Sequence, residues 1–527
     1  MSPTRREALL QLAVLAALPL PRLRFGSATD PLGGTIADYQ AGRRRGEYTA
    51  AEIVARAIER CRTDGATWHA IDELSERALV DAQESDARLR AGQLRGPLDG
   101  APVFAKAIYD MNGLPTTGSS AEWASLFPEP VRRDSLEVVR MRAAGAVVLG
   151  KTAADDFAYH GNGTSSHTGQ VLNPHDRAGT KTPGGSSAGS AVAVSDGMAF
   201  AALGTDDGGS NRIPAQFTGV VGMKPTFGLV PRTGVIPTWP YLDTHGPLAR
   251  FVADAALLLM AIAGPDQSDP LALTTSIPSS RLATLGSESL AGVRLGVVEA
   301  HVPRAQMIPE AVTIWDRALG DLRAAGAIVE PFAAPVTLQN YRDLFAAAAT
   351  ARGDVAVDPK SPAPTANALL HYFEGRTDKA RDAVRRGYPA YQKFYDVLPP
   401  TFDACEPLLD RPMTDDPAGR SFARSRETVV RQLADAMHDA GVAAMVYPTM
   451  PFNAPRAVDS WPNIRTTLGY GNWLGLPEVS VPAGLGADGM PALNLSVVGL
   501  PGTDVTVLAY ANAYERQSKR FVPPDRR

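Results

Sequence analysis

Apolar and polar positions fall into short blocks along this chain, and the spacing inside the blocks switches between helical and extended. Ile53, Val54 and Ile58 share a helical face after Thr49-Ala50-Ala51-Glu52, a threonine followed three residues on by glutamate. That is a capping-box pattern and predicts a helix opening at Thr49. A second helical pattern covers roughly residues 73–91. The turn Leu98-Asp99-Gly100-Ala101-Pro102 leads into a short apolar strand over 102–105 that ends on Lys106. A helix closing at 140–144 precedes a strand at 146–149. Residues 190–202 are small and apolar, the pattern of a tightly packed helix, and run into a strand up to Gly204. Gly219-Val220-Val221-Gly222-Met223 forms another apolar block, and residues 251–263 predict a buried helix. Strands follow at 294–299, 327–329, 443–447, 478–481 and 493–498, with a helix ending near Ala325. Residues 264–291 are polar and turn-rich. Residues 335–440 have no strand pattern but several helical ones, at 369–373 and 425–438 among them, and read as a mainly helical, cap-like segment. Strands and helices in this alternation indicate an α/β architecture with a mostly parallel or mixed sheet.

The 527 residues are 44% hydrophobic and 20% charged, enough to bury a large core in one big domain or in two to four smaller ones. A formal charge of -4 gives no reason to expect nucleic acid, and Arg43-Arg44-Arg45 reads as a solvated run. The N-terminus changes the picture. Arg5-Arg6 stands just before an apolar run from Ala8 to Leu20, which is too short to span a bilayer, and Gly26-Ser27-Ala28 offers small residues for cleavage. Residues 1–28 are therefore expected to be a twin-arginine-type export signal, giving a periplasmic or secreted protein. With no cysteine beside the cleavage site, no stable membrane anchor is expected once the signal is gone. Cys61 and Cys405 are the only cysteines, and the eight histidines lack ligand spacing, so no metal and no cofactor are expected. Export would permit Cys61 and Cys405 to pair, but their spacing does not say whether they are neighbours.

Candidate chemistry concentrates between Gly184 and Arg212. Two glycine-serine clusters, Gly184-Gly185-Ser186-Ser187 and Gly208-Gly209-Ser210, flank the alanine-rich segment. Glycines let a backbone turn sharply and aim successive N–H groups at one point, and a serine beside such groups suits acyl transfer. Lys106, directly after a buried strand, is a candidate base, because desolvation lowers a lysine pKa. Two motifs point elsewhere. Gly145 to Thr152 matches the P-loop pattern, but its four variable residues are apolar and are read as the strand itself. Gly185-Ser186-Ser187-Ala188-Gly189 fits the nucleophile elbow of α/β-hydrolases, with Ser187 attacking. An elbow needs a strand immediately before it, and here a polar loop precedes.

Laid out this way, the chain resembles the amidase signature family over nearly all of its length beyond the leader. The segments that carry the resemblance are 183–190, 204–212 and 222–226, with Gly150-Lys151-Thr152, Asp156-Phe157-Ala158, Asn173-Pro174, Tyr447-Pro448-Thr449 and residues 474–483 in support. The resemblance implies a single large α/β/α domain over 29–527, with a mixed, twisted central sheet covered by helices. It also implies a Ser-cisSer-Lys triad: Ser210 as nucleophile, Ser186, preceded by a cis peptide bond, as proton relay, and Lys106 as base. Backbone N–H groups of Asp207, Gly208, Gly209 and Ser210 are expected to form the oxyanion hole, with Asp206 and Arg212 fixing the loop. The implied reaction is cleavage of a carboxylic amide C–N bond in a small-molecule or peptide substrate.

Two positions depart from the family pattern. The residue after the lysine, usually acidic, is Ala107, and the residue before Gly208, commonly small, β-branched or apolar, is Asp207. A carboxylate beside an oxyanion hole opposes charge build-up unless it is paired or turned away. Other readings remain: the glutaminase subunit of a tRNA-dependent amidotransferase, a serine esterase using Ser187, or a non-catalytic family member. Peptide amides, aryl amides, fatty amides and carbamates are all candidate substrates, and no feature sets the oligomeric state.

Overall fold

The computed structural model describes residues 30–275, 277, 289–459 and 465–525, so the export signal expected over 1–28 lies outside the described residues. In chain order the strands are β1 (Ile71–Leu74), β2 (Pro102–Lys106), β3 (Val147–Thr152), β4 (Thr164–Ser165), β5 (Gly169–Gln170), β6 (Ala201–Asp206), β7 (Val221–Lys224), β8 (Thr244–Ala249), β9 (Arg294–Val297), β10 (Ile328–Pro331), β11 (Ala444–Pro448), β12 (Glu478–Leu485) and β13 (Pro491–Val498). Eleven of them form one sheet in the order β1-β3-β2-β6-β8-β7-β12-β13-β11-β9-β10, while β4 and β5 pair as a separate hairpin. The sheet is mixed. β2 runs parallel to β3 and β6, and β9 parallel to β10 and β11, whereas the strands between β6 and β11 pair antiparallel.

Helices cover the sheet, and the strands next to the glycine-serine clusters are buried along their whole length. β2, β3 and β6 show no exposed position, as expected where packing on both faces favours continuous apolar runs over alternation. Gly150 and Lys151 lie inside β3, so the P-loop look-alike is a strand. The register Val103↔Ala201 and Phe104↔Ala202 carries β2 and β6 side by side to their carboxyl ends, where Lys106 and Asp206 stand. Residues 341–439 contain five helices, Tyr341–Arg352, Pro362–Glu374, Ala380–Gln392, Phe402–Leu409 and Pro417–Asp439, and no strand. Among the described residues no helix is long and apolar enough to cross a membrane. Cys61 and Cys405 are both buried and free.

Several elements differ from the sequence expectation. The helix expected over 73–91 is Ala78–Arg90 alone, and Ile71–Leu74 is an edge strand antiparallel to β3. β8, in the middle of the sheet, was not legible because Gly246-Pro247 interrupts it, and proline ordinarily marks an edge. The C-terminal helix Asp504–Ser518 packs on β12 and on the helix Val252–Ile262, and no sequence pattern singled it out.

The helix Ala188–Ser195 shows how tightly the middle is built. A Cβ on Gly189 would lie 2.2 Å from the Ala70 carbonyl oxygen and 2.6 Å from the backbone N and O of Ala153. Backbone cannot yield as a side-chain end can. Gly189→Val is therefore expected to cost about 3 kcal/mol or more, overpacking a rigid contact. A denaturant midpoint equal to that of the unsubstituted protein would contradict this packing.

Candidate active site

Three segments from separate parts of the chain meet at the carboxyl end of β2. Lys106 is the last residue of that strand, Ser186 lies in the loop entering the helix Ala188–Ser195, and Ser210 follows the turn after β6. Lys106 Nζ lies 2.8 Å from Ser186 Oγ, 2.9 Å from Thr205 Oγ1 and 3.2 Å from Ser187 Oγ. The Gly185–Ser186 peptide bond is cis. A Cβ at position 185 would sit 2.0 Å from Asp155 Oδ2, so only glycine lets the loop pass this close. The two clusters are tied directly, since Ser187 N donates to the Ser210 carbonyl at 3.2 Å and Ser187 Oγ to Asn211 Oδ1 at 3.0 Å.

Lys106 is completely buried and makes no ion pair among the described residues. Burial lowers its pKa to about 8, partly opposed by the Asp207 and Asp155 carboxylates. Asp155 caps the opposite loop. It accepts from the backbone N–H groups of Asn162, Gly163 and Thr164 at 3.2, 2.9 and 3.1 Å, yet burial still raises it to about 6. Ser210, by contrast, keeps 9% of its surface exposed, whereas Ser186 and Ser187 keep none.

The turn from 206 to 212 is held from below. Asp206 accepts from Gly209 N at 2.7 Å, Asn211 N at 3.1 Å, and Arg212 Nε and Nη2 at 2.9 and 2.8 Å. Arg212 Nη1 donates to Glu478 Oε2 at 2.7 Å, and its Nη2 to Asn472 Oδ1 at 2.8 Å. Burial alone would raise Asp206; Arg212, with Lys224 behind it, outweighs this and holds the carboxyl well below the usual carboxylate range. The Gly209 N–H, expected in the oxyanion set, donates to Asp206 Oδ1 in this structure, while the N–H groups of Asp207, Gly208 and Ser210 have no partner among the described residues. Gly209 serves instead as the hinge of the turn, at φ +117°, a conformation only glycine adopts readily.

The family model described as Amidase matches residues 52–508. The chain belongs to the amidase family. It is 31% identical over 515 residues to a glutamyl-tRNA(Gln) amidotransferase subunit from Methylocella silvestris, covering 93% of this chain and 98% of that protein. The corresponding amidotransferase subunit from Symbiobacterium thermophilum is 34% identical over 497 residues, covering 90% and 94%. Among solved structures, the peptide amidase from Stenotrophomonas maltophilia superposes with a TM-score of 0.74 at 29% identity, covering 96% of this chain and 99% of that one. The eleven-stranded mixed sheet is thus the amidase fold, and the chain is an enzyme of amide C–N bonds.

Within this amidase, Ser187 does not have the freedom of an elbow nucleophile. No strand precedes it, and its hydroxyl is shared among Asn211, Thr205 and Lys106 in a fully buried position. Several supporting groups were not singled out by sequence. Thr205 and Asn211 sat unremarked inside the glycine-serine stretch, Asp155 immediately before the quoted Asp156-Phe157-Ala158, and Glu478 inside the quoted 474–483 segment. Asn472 had no signal of its own. Arg212 joins two buried carboxylates, so Arg212→Met is expected to cost about 3–5 kcal/mol by leaving Asp206 and Glu478 unpaired. Chemical denaturation checks this; an unchanged midpoint would mean the network is not holding the turn.

Proposed function

We propose that this amidase hydrolyses carboxylic amides through an acyl-enzyme on Ser210, with Ser186 as proton relay and Lys106 as base. The observation that carries the reading is a fully buried lysine amine whose three close side-chain neighbours are hydroxyls. A neutral amine has two N–H donors and one lone pair. Ser187 Oγ directs its own hydrogen to Asn211, so it accepts from Lys106, and the 2.8 Å contact to Ser186 Oγ is left as the route for a proton onto nitrogen. Ser186 then takes the proton of Ser210 as that oxygen attacks the amide carbonyl. The unpartnered N–H groups of Asp207, Gly208 and Ser210 receive the oxyanion, each such donor contributing about 3 kcal/mol in comparable sites. The relay reverses to protonate the leaving amine, and water releases the acid.

Likeness to the peptide amidase supports a peptide or small-molecule amide as substrate. Likeness to the amidotransferase subunits supports a second reading, a glutaminase subunit working with partners. The twin-arginine leader at residues 1–28 favours the first, because an exported protein is parted from aminoacylated tRNA. A panel of peptide amides, aryl amides, fatty amides and glutamine tested on the protein lacking residues 1–28 separates the two. Turnover of glutamine alone would establish the second.

Ser210→Ala should lower kcat by at least ~1000-fold and abolish labelling by a serine-reactive probe, while Lys106→Ala should cost at least ~100-fold. Labelling that survives Ser210→Ala would remove the nucleophile assignment. Because Lys106 acts as the free amine, kcat/KM should climb with pH and level off above its pKa of about 8. A profile flat from pH 6 to 9 would count against Lys106 as base. For the leader, Arg5→Lys with Arg6→Lys is expected to keep the protein in the cytoplasmic fraction; unchanged export would refute the twin-arginine route.

A further inference from the structure

Asp207 is the residue of the nucleophile turn that the reaction above does not need as a side chain. Its flanking residues Asp206 and Gly209 are buried, whereas Asp207 and Gly208 are partly exposed, so the turn opens at this point. A Cβ on Gly208 would meet no atom within 4 Å, which places open space in front of the turn. The Asp207 carboxylate accepts one hydrogen bond, from Thr238 Oγ1 at 2.8 Å, and makes no ion pair among the described residues.

The groups around it do not neutralise it. Asp243 and Asp206 are like charges, Lys106 is the nearest cation and is needed as a free amine, and Arg232 is committed to Asp269, with its Nε at 2.8 Å. Asp243 is 3% exposed and lines a cavity of about 250 Å³ together with Thr238, the paired Arg133 and Arg232, and residues of the helix Pro362–Glu374; Asp207 reaches this cavity only through its bond to Thr238. Its Oδ2 lies 3.3 Å from His245 Nε2, while its Oδ1 has no hydrogen-bond partner. Glu137 holds the other face of His245, with Oε1 2.6 Å from Nδ1, so His245 already answers two carboxylates. Tyr391 and Tyr395 feel the Asp207 charge, though their hydroxyls donate to the Pro237 and Phe157 carbonyls; their rings stack at 4.4 Å, and Trp239 packs on Tyr395 at 4.8 Å and carries the Lys360 ammonium over its ring at 4.7 Å. Burial and the Asp243 carboxylate push Asp207 well above the usual carboxylate range, as expected of a site with one negative charge too many.

We propose that Asp207, with Thr238 and Asp243 behind it, is a receptor for a protonated amine that the substrate carries close to its scissile carbonyl. The class is an amide with a neighbouring ammonium, such as the amide of an α-amino acid with a free amino group. A carboxylate that lacks an ion-pair partner, at a point where its turn opens, is a surface that favours such a group. The placement relative to the carbonyl rests on the Ser210 reading, since the Asp207 N–H belongs to the same turn.

The test reads binding and not turnover, so that it stands apart from the acyl-enzyme reading. Ser210→Ala protein is titrated calorimetrically near pH 7 with phenylalaninamide and with 3-phenylpropanamide, which differ only in the α-ammonium. Phenylalaninamide should bind at least ~10-fold more tightly, and adding Asp207→Asn should shrink the preference to about twofold or less. Asp207→Thr, a residue type the turn accommodates in the family pattern, provides a second variant should the asparagine disturb folding. Equal affinity for the two amides overturns the proposal with Asp207 unsubstituted, as does failure of phenylalaninamide to bind up to about 10 mM. A preference that survives both variants also overturns it. Equal affinity for the two amides with Asp207 unsubstituted, alongside Ser210-dependent hydrolysis of neutral amides by the unsubstituted enzyme, would leave the reaction standing and remove only this subsite.

Discussion

An amine at the end of a buried strand has two ways to lose the cost of its charge: pair with a carboxylate, or give up the proton. Lys106 is placed to favour the second, because the groups within hydrogen-bond reach of Nζ are neutral hydroxyls from Thr205, Ser186 and Ser187, and burial lowers its pKa to about 8. Much of the surrounding structure follows from that one condition. β2 and β6 must be parallel neighbours so that Lys106 and Thr205 arrive together. The loop carrying Ser186 must enter through a cis bond at a glycine that no side chain could replace, because Asp155 and Gly163 press against it. The helix behind it must be small enough to lie on Ala153.

The same condition decides what happens to the acids nearby. Asp155 and Asp206 could each raise Lys106 back toward its ordinary pKa, and both are engaged elsewhere. Asp206 directs its charge to Arg212 and two backbone N–H groups, and Arg212 is balanced in turn by Glu478. Asp155 commits its oxygens to three successive backbone donors. A buried ion pair is a weak source of stability when set against apolar packing, but removing one partner is costly. The network is better understood as fixing the 206–212 turn in one arrangement. The consequence is visible at Gly209, whose N–H serves the turn and not the substrate.

What could be read from sequence was what depends on neighbours in the chain. The capping box at Thr49 and Glu52 is a local hydrogen-bond exchange and was legible as one. The strand before Lys106 and the small apolar helix after Ser187 were legible because burial on both faces leaves continuous apolar runs. Lys106, Ser186 and Ser210 were singled out through residue type beside glycine, and through resemblance. The misses have the opposite character. β8 is a strand despite Pro247 because its neighbours β6 and β7 enforce it. Asn472 and Glu478 meet Arg212 from some 260 residues away, and nothing in their own surroundings announces the contact. Glycine-rich composition shows that N–H groups converge, without showing on what, and the Gly209 N–H meets Asp206.

Ala107 and Asp207 then become parts of one rearrangement. An acid at position 107 would be sealed in: Ala107 is fully buried, with its N–H on the Thr152 carbonyl. Its charge would act on Lys106 whether or not a substrate were present. The acid at 207 sits instead where the turn opens, anchored by the single hydroxyl of Thr238, so its charge depends on what enters. Burial and then Asp243 favour the neutral acid, which keeps a negative charge away from the turn's N–H groups. A cation arriving with the substrate would stabilise the carboxylate and also cancel its field at the developing oxyanion. The residue that looked least suited to its position is therefore suited to it under one condition, that the substrate brings the missing positive charge.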